Sequence, residues 1–216
     1  MTGKKYDSCT EYWMNPQDCT FRGEFEQMYQ EIEDPWGCQA GALSLHNKMF
    51  LDILFDGCCY KNILDVGCGT GGFTKQLFER NNGGAVCGCD ISATAVQKAK
   101  NLYSQIDFRQ LNILDANDNE FGPFDMIICS EILWYILDGL EATYSKMVSW
   151  LTSAGKLGVH QFFPSCQNFG KCALDGLKGF DAFIASSTCL SYERKVVSYT
   201  DDGMVLLATF VKKDGK

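Results

Sequence analysis

Ile63-Leu-Asp-Val-Gly-Cys-Gly-Thr-Gly-Gly-Phe73 decides how this chain is read. An apolar run ends in an acid, a glycine-rich turn follows, and a helix begins. A second apolar run starts at Ala85 and ends at Asp90. Glycines that open a helix let bare backbone N–H groups approach a ligand. An acid at the tip of the next strand accepts hydrogen bonds from ribose hydroxyls. The pair predicts a nucleoside-containing cofactor at the C-terminal edge of a parallel sheet.

Gly67, Gly69 and Gly72 satisfy the dinucleotide pattern G-x-G-x-x-G. A nicotinamide oxidoreductase would place pyrophosphate there. Such an enzyme usually adds a catalytic domain or a Tyr-x-x-x-Lys helix, and this chain has neither. Asp65, just ahead of the first glycine, suits an ammonium better than a pyrophosphate. Gly71 makes the loop G-x-G-x-G, and Phe124-Asp-Met-Ile-Ile-Cys-Ser-Glu-Ile-Leu-Trp-Tyr135 adds a strand with polar groups at its end. With these residues the chain, over about residues 35–213, resembles the class I S-adenosylmethionine-dependent methyltransferases.

The resemblance implies S-adenosyl-L-methionine as cofactor and S-adenosyl-L-homocysteine as product. Gly67 and Gly69 would lie against the methionine part, with Asp65 near its ammonium. Ser130, or its carbonyl, would touch the same ammonium. Asp90 would hold the ribose, and Ile91 would flank the adenine. Asn112 stands where the family often carries Asp; its carbonyl can also accept from the adenine amino group, and Asp115 competes for that role. Ile113 would add an apolar contact. Asp34-Pro-Trp36 is similar to an element of the nodulation-type N-methyltransferases, a family that methylates an amino sugar. Trp36 would offer an aromatic face to the sulfonium.

If the acceptor must lose a proton, the candidate catalytic residues are Glu131, Tyr135 and His160. Glu131 could instead hold a cationic acceptor. Each also has a plain structural reading: a polar pair at a helix start, a core aromatic, a strand histidine.

Composition narrows the function classes. The 216 residues suit one substantial core, with 46% hydrophobic and 21% charged residues. No apolar run approaches the ~20 residues of a membrane span. Met1 to Ser8 carry no apolar signal region, so the expected location is cytoplasmic. The 12 cysteines form no C-x-x-C pair and only 2 histidines are present, which is poor material for zinc. Cys87, Cys89 and Cys129 fall in expected core strands as small apolar residues. A net charge of −8 without Lys/Arg clusters argues against a nucleic-acid polymer. The expected partner is a small-molecule acceptor. N-methylation is the first reading; O- or S-methylation and a non-catalytic cofactor-binding scaffold remain open.

Strand–helix alternation from Ile63 to Phe163 predicts an α/β, doubly wound, mostly parallel, Rossmann-like sheet. Two last strands, about Leu190–Tyr199 and Met204–Val211, predict a C-terminal antiparallel hairpin turning at Asp201-Asp-Gly203. Phe21 to Glu33 reads as a short helix, and Leu43, Phe50, Ile53 and Leu54 recur at helical spacing before Gly57. Residues 1–20 read as irregular, as does the glycine-bearing stretch after Pro164. Residues 1–40 are expected to form an arm that is part of an acceptor and cofactor lid, and residues 41–216 the methyltransferase domain.

Overall fold

The computed structural model describes residues 6–37, 44–115, 121–187 and 189–213. Seven strands form one sheet: β1 (Asn62–Val66), β2 (Ala85–Asp90), β3 (Asp107–Gln110), β4 (Phe124–Ser130), β5 (Leu151–Pro164), β6 (Leu190–Thr200) and β7 (Gly203–Lys212). Their spatial order is β3-β2-β1-β4-β5-β7-β6. The first five are parallel; β7 pairs antiparallel with both β5 and β6. The expected doubly wound sheet with an antiparallel hairpin is therefore what forms. The strand order reverses between β1 and β4, and the crevice beyond such a reversal is where open α/β sheets bind ligands.

The central strands are buried on both faces, so they read as apolar runs rather than alternations. Leu64, Ile127, Ile128, Leu157, Leu206 and Leu207 are fully buried. Truncating one of them to Ala removes packing worth about 2–5 kcal/mol. Helices α3 (Leu45–Leu54), α4 (Gly72–Arg80), α5 (Ala93–Leu102), α6 (Leu140–Trp150) and α7 (Gly176–Ser187) flank the sheet. Ser92 caps α5 by accepting from the Ala95 amide at 3.1 Å, as its sequence position predicts. Leu43, read as part of the helical face of α3, lies outside the described residues.

Two segments differ from the sequence reading. The stretch after Pro164 contains α7, whose Phe180 and Ile184 are buried in the main core. The arm contains α1 (Cys9–Trp13) as well as α2 (Phe25–Glu31). β5 begins directly after α6, at Leu151, with a register shift where it meets Phe124 and Met126 of β4.

The arm is docked on α5. Tyr12, Met28 and Tyr29 bury against Ala95. Glu26 accepts from the hydroxyls of Ser92 (2.7 Å) and Thr94 (2.6 Å) and from the Thr94 amide (3.2 Å). Burial raises the Glu26 pKa, but these donors outweigh it and hold the carboxyl at about 2. A carboxylate at a helix N-terminus is also favoured by the helix dipole. Lys98 donates to the carbonyls of Ile32 (3.0 Å) and Glu33 (3.2 Å), just past the end of α2. Among the described residues no helix is long and apolar enough to cross a membrane.

Candidate active site

One cavity of about 670 Å³ lies over the C-terminal ends of β1, β2, β4 and β5. The sequence's candidate cofactor and catalytic residues line it, Trp36, Asp65, Gly67, Gly69, Asp90 and Ile91 on one stretch of chain, Asn112, Ile113, Ser130, Glu131, Tyr135 and His160 on the rest, while the competing Asp115 does not. Its volume is ordinary for a small-molecule site.

The glycine loop shapes one wall. Gly67 and Gly69 have φ of 72° and 54°, in the left-handed region that favours glycine. A Cβ on Gly67 would collide with Ile132, and one on Gly69 would stand 2.7 Å from the Tyr29 hydroxyl. The loop is therefore bare backbone held between β4's exit and the arm. Its Gly69 amide donates to Asp90 at 2.9 Å, and the Ser92 amide donates to the other Asp90 oxygen at 2.9 Å. The acid predicted for ribose is thus fixed in orientation by two backbone donors, with lone pairs left over.

Asp65 is 2% exposed and accepts from the Thr74 hydroxyl at 2.6 Å. Burial, against the Thr74 hydrogen bond and with help from Asp90, pushes its pKa up to about 7. Burial likewise raises Asp90, with the Ser92 and Gly69 amides opposing. Neither acid pairs with a cation among the described residues. Two buried carboxylates uncompensated in this way fit a cationic ligand.

Toward β3, exposed Ile91 and buried Ile113 present apolar faces. Asn112 donates to Asp115 at 2.8 Å and accepts from the Leu114 amide at 3.3 Å, so Asn112 carries the cavity wall and Asp115 supports it. Thr143 of α6 lines this side too; its hydroxyl is buried and has no hydrogen-bond partner among the described residues. Bare backbone, fixed carboxylates, apolar faces and an orphaned hydroxyl together fit the charged sulfonium nucleoside that the sequence implies.

The second cluster stands at the end of β4. Register places Ser130 beside His160 on β5, and their Oγ and Nδ1 atoms are 3.1 Å apart. Glu131 has φ of 58°, a conformation that costs about 1–2 kcal/mol for a residue with a side chain. Glu131 thereby turns back toward β5. Its carboxylate accepts from the Phe162 amide (3.2 Å) and the Gln161 side chain (3.1 Å), and lies 3.4 Å from His160 Nε2. The side chain remains 43% accessible because it faces the cavity rather than bulk water. Burial nonetheless pushes its pKa up to about 7, against the Phe162 amide.

Burial, with the nearby His46, holds His160 down at about 4. A neutral ring suits both of its contacts: Nδ1 can accept from the Ser130 hydroxyl while Nε2 lies 3.4 Å from the Glu131 carboxyl. Glu131, His160 and Ser130 thus stand in one row of polar contacts at the cavity wall. Burial and Glu131 raise the Tyr135 hydroxyl above its ordinary value, so it stays protonated at neutral pH. Its ring packs on Phe25 and Trp36 at centroid distances of 5.0 and 6.1 Å.

Sequence reasoning passed over Gln161, which is buried, bonds Glu131, and accepts from the Leu133 amide at 3.0 Å. It also passed over Thr70, Thr143 and the arm residues Phe21 and Tyr29 as cavity walls. Only Tyr29 had a signal, its place on the apolar face of α2. His46 bonds Ser198 at 3.0 Å and does not line the cavity.

A family profile described as a methyltransferase domain matches residues 64–157. Those residues are similar to that domain, and the sheet around them shares its fold with solved S-adenosylmethionine-dependent methyltransferases. The N-methyltransferase NodS of Bradyrhizobium japonicum WM9, solved with S-adenosyl-L-homocysteine, superposes with a TM-score of 0.69 at 19% identity, covering 88% of this chain and 98% of that one. Magnesium protoporphyrin IX methyltransferase of Synechocystis PCC 6803, solved with S-adenosylmethionine, gives a TM-score of 0.62 at 18% identity over 98% of this chain and 100% of that one. At such identities the likeness is one of fold. Among curated proteins, a ubiquinone biosynthesis O-methyltransferase of Actinobacillus pleuropneumoniae is 32% identical over 143 residues, 61% of this chain and 60% of its own length. The putative methyltransferase 235L of Invertebrate iridescent virus 6 is 28% identical over 113 residues, 52% of this chain and 41% of its own length. The chain spans about half the length of the curated relatives it matches.

Proposed function

We propose that this protein transfers a methyl group from S-adenosylmethionine to a nitrogen of a small-molecule acceptor. The observation that carries the reading is Glu131: a base with a pKa near 7, held in a left-handed turn, facing the same cavity as the glycine loop. When bound, S-adenosylmethionine supplies an electrophilic methyl group on a sulfonium sulfur. Asp90 holds the ribose, and Gly67 and Gly69 admit the methionine part against backbone. Asp65 and Ser130 face its ammonium. Ile91, Ile113 and Asn112 border the adenine. Trp36, which donates from Nε1 to the Tyr29 hydroxyl at 3.0 Å, covers the loop from the arm.

Glu131 removes a proton from the acceptor ammonium and exposes the nitrogen lone pair. Glu131 would thereby leave the acceptor nitrogen free to take the methyl group of bound S-adenosylmethionine, whose sulfonium would be released as a neutral thioether. His160 and Ser130 keep the Glu131 carboxylate aimed and offer its proton a way out. Most of the acceleration comes from alignment of two bound partners, because the donor is already activated. Residues 1–40 act as a lid over both partners, and residues 41–216 as the catalytic domain. Unpaired cysteines suit a reducing compartment such as the cytosol.

A second reading, transfer to a hydroxyl oxygen, draws support from the curated relative named as an O-methyltransferase. The same base would take a hydroxyl proton. Incubation with methyl-labelled S-adenosylmethionine and a mixed panel of amines, alcohols and thiols separates the readings by the atom labelled. Label on amines supports the first; label on oxygen or sulfur alone replaces it; no label on any panel member, with cofactor bound, favours the scaffold.

A further inference from the structure

We propose that the acceptor is an amine carried on a flat apolar or aromatic body, seated between Glu131 and a ring wall supplied by the N-terminal arm. This rests on the methyl-transfer reading and names its substrate class. Charge is the first support. The described residues lining the cavity include Asp65, Asp90, Glu131 and Asp138, but no Lys or Arg. An acceptor bearing carboxylate or phosphate would bury its charge unpaired among acids. An ammonium would meet the opposite field.

The walls are the second support. Phe21 and Phe25 from the arm and Tyr135 from the segment after β4 line the cavity. Trp13 braces them from behind, with ring centroids 5.2 Å from Tyr135 and 5.3 Å from Phe169. Phe21 is 39% exposed, an apolar ring open at the site rather than buried in the core. Aromatic faces accept both a flat apolar body and an adjacent cation. The wall of Phe21, Phe25 and Tyr135 carries a single hydroxyl, that of Tyr135, and the uncharged polar side chains that line the cavity elsewhere include Asn47, Thr70, Asn112, Ser130, Thr143 and His160. A bare sugar would leave most of its hydroxyls without partners against this wall, a loss that discriminates strongly.

The test is calorimetric binding to the full chain saturated with S-adenosyl-L-homocysteine, using phenethylamine, 3-phenylpropionate and glucosamine. Phenethylamine is expected to bind at least ~10-fold tighter than either of the others. Glu131→Gln should erase its advantage over 3-phenylpropionate. Phe21→Ala, at a surface-open position, should weaken phenethylamine by ~5-fold or more while S-adenosyl-L-homocysteine binds as before. Equal or tighter binding of glucosamine or 3-phenylpropionate overturns the proposal, as does absence of saturable amine binding while S-adenosyl-L-homocysteine binds. Failure of S-adenosyl-L-homocysteine itself to bind removes the methyl-transfer reading, and the proposal with it.

Discussion

The two halves of the cavity are built in different ways. The glycine-loop half comes from consecutive strand ends, and its ligand groups are backbone amides and carboxylates fixed by amides, as at Asp90. The Glu131 half joins three distant pieces of chain: the arm, the exit of β4 and the end of β5. The first is set by local geometry that tolerates little change, since a Cβ at Gly67 or Gly69 meets a neighbour at once. The second is set by side-chain packing and a few long-range hydrogen bonds. A fold can therefore keep one cofactor while its acceptor wall is rebuilt.

Substitutions that divide the halves sharpen this contrast, and those that blur them would break it. The largest effect is expected at Glu131. Glu131→Gln should lower kcat/KM by about 100- to 1000-fold, with the dissociation constant for S-adenosylmethionine within about 2-fold of wild type, measured by steady-state kinetics and calorimetry. Asp90→Ala should do the reverse, weakening cofactor binding by about 100-fold through loss of a charged acceptor. A comparable loss of cofactor affinity in both variants would mean the halves are not separable.

The pH profile tests the same division. Glu131 acts as a base only when deprotonated, and burial sets its pKa at about 7. With a saturating acceptor that binds as the ammonium, kcat should rise about tenfold per pH unit below that value and level off above it. Glu131→Gln should flatten the rise. His160, near 4, contributes no step in this range.

Asp65 gives a smaller effect on stability. Its folded pKa of about 7 lies above the ordinary carboxylate value, so the folded state holds a proton that the unfolded chain has released. Stability from this group is greatest at low pH and is lost as pH rises to about 7. Asp65→Asn should therefore raise the Tm of the free protein by a few degrees at pH 8, with the gain shrinking toward pH 4, while weakening cofactor binding. A lower Tm at pH 8 would contradict the uncompensated charge. The smallest effect belongs to the arm. Glu26→Ala removes the hold on Ser92 and Thr94 and should raise both KM values about 3-fold, leaving kcat nearly unchanged. An unchanged KM would detach the arm from either half.

The same contrast explains what the sequence could tell. The glycine loop, Asp65 and Asp90 were legible because strand, turn and helix signals fall in one continuous stretch. The doubly wound, mostly parallel sheet and the C-terminal hairpin followed from alternation and from Asp201-Asp-Gly203, whereas the strand order did not. Helix α7 was hidden by Gly170, Gly176 and Gly179, although Leu177, Phe180 and Ile184 recur at helical spacing within it. The role of Gln161 and the clasp of Glu26 on α5 link residues far apart in sequence, and no local pattern encodes such pairs. Glu131 was visible as an acid at a strand end, but its left-handed turn and raised pKa depend on β5 closing beside it.

The central claim is that one cavity holds a cofactor half anchored by Asp90 and an acceptor half governed by Glu131. Calorimetric titration of S-adenosyl-L-homocysteine into wild type, Asp90→Ala and Glu131→Gln tests it most directly. The account predicts one-to-one binding to wild type and Glu131→Gln with like affinity, and near loss of binding to Asp90→Ala. Undiminished binding to Asp90→Ala, or no binding to the wild type, would contradict it.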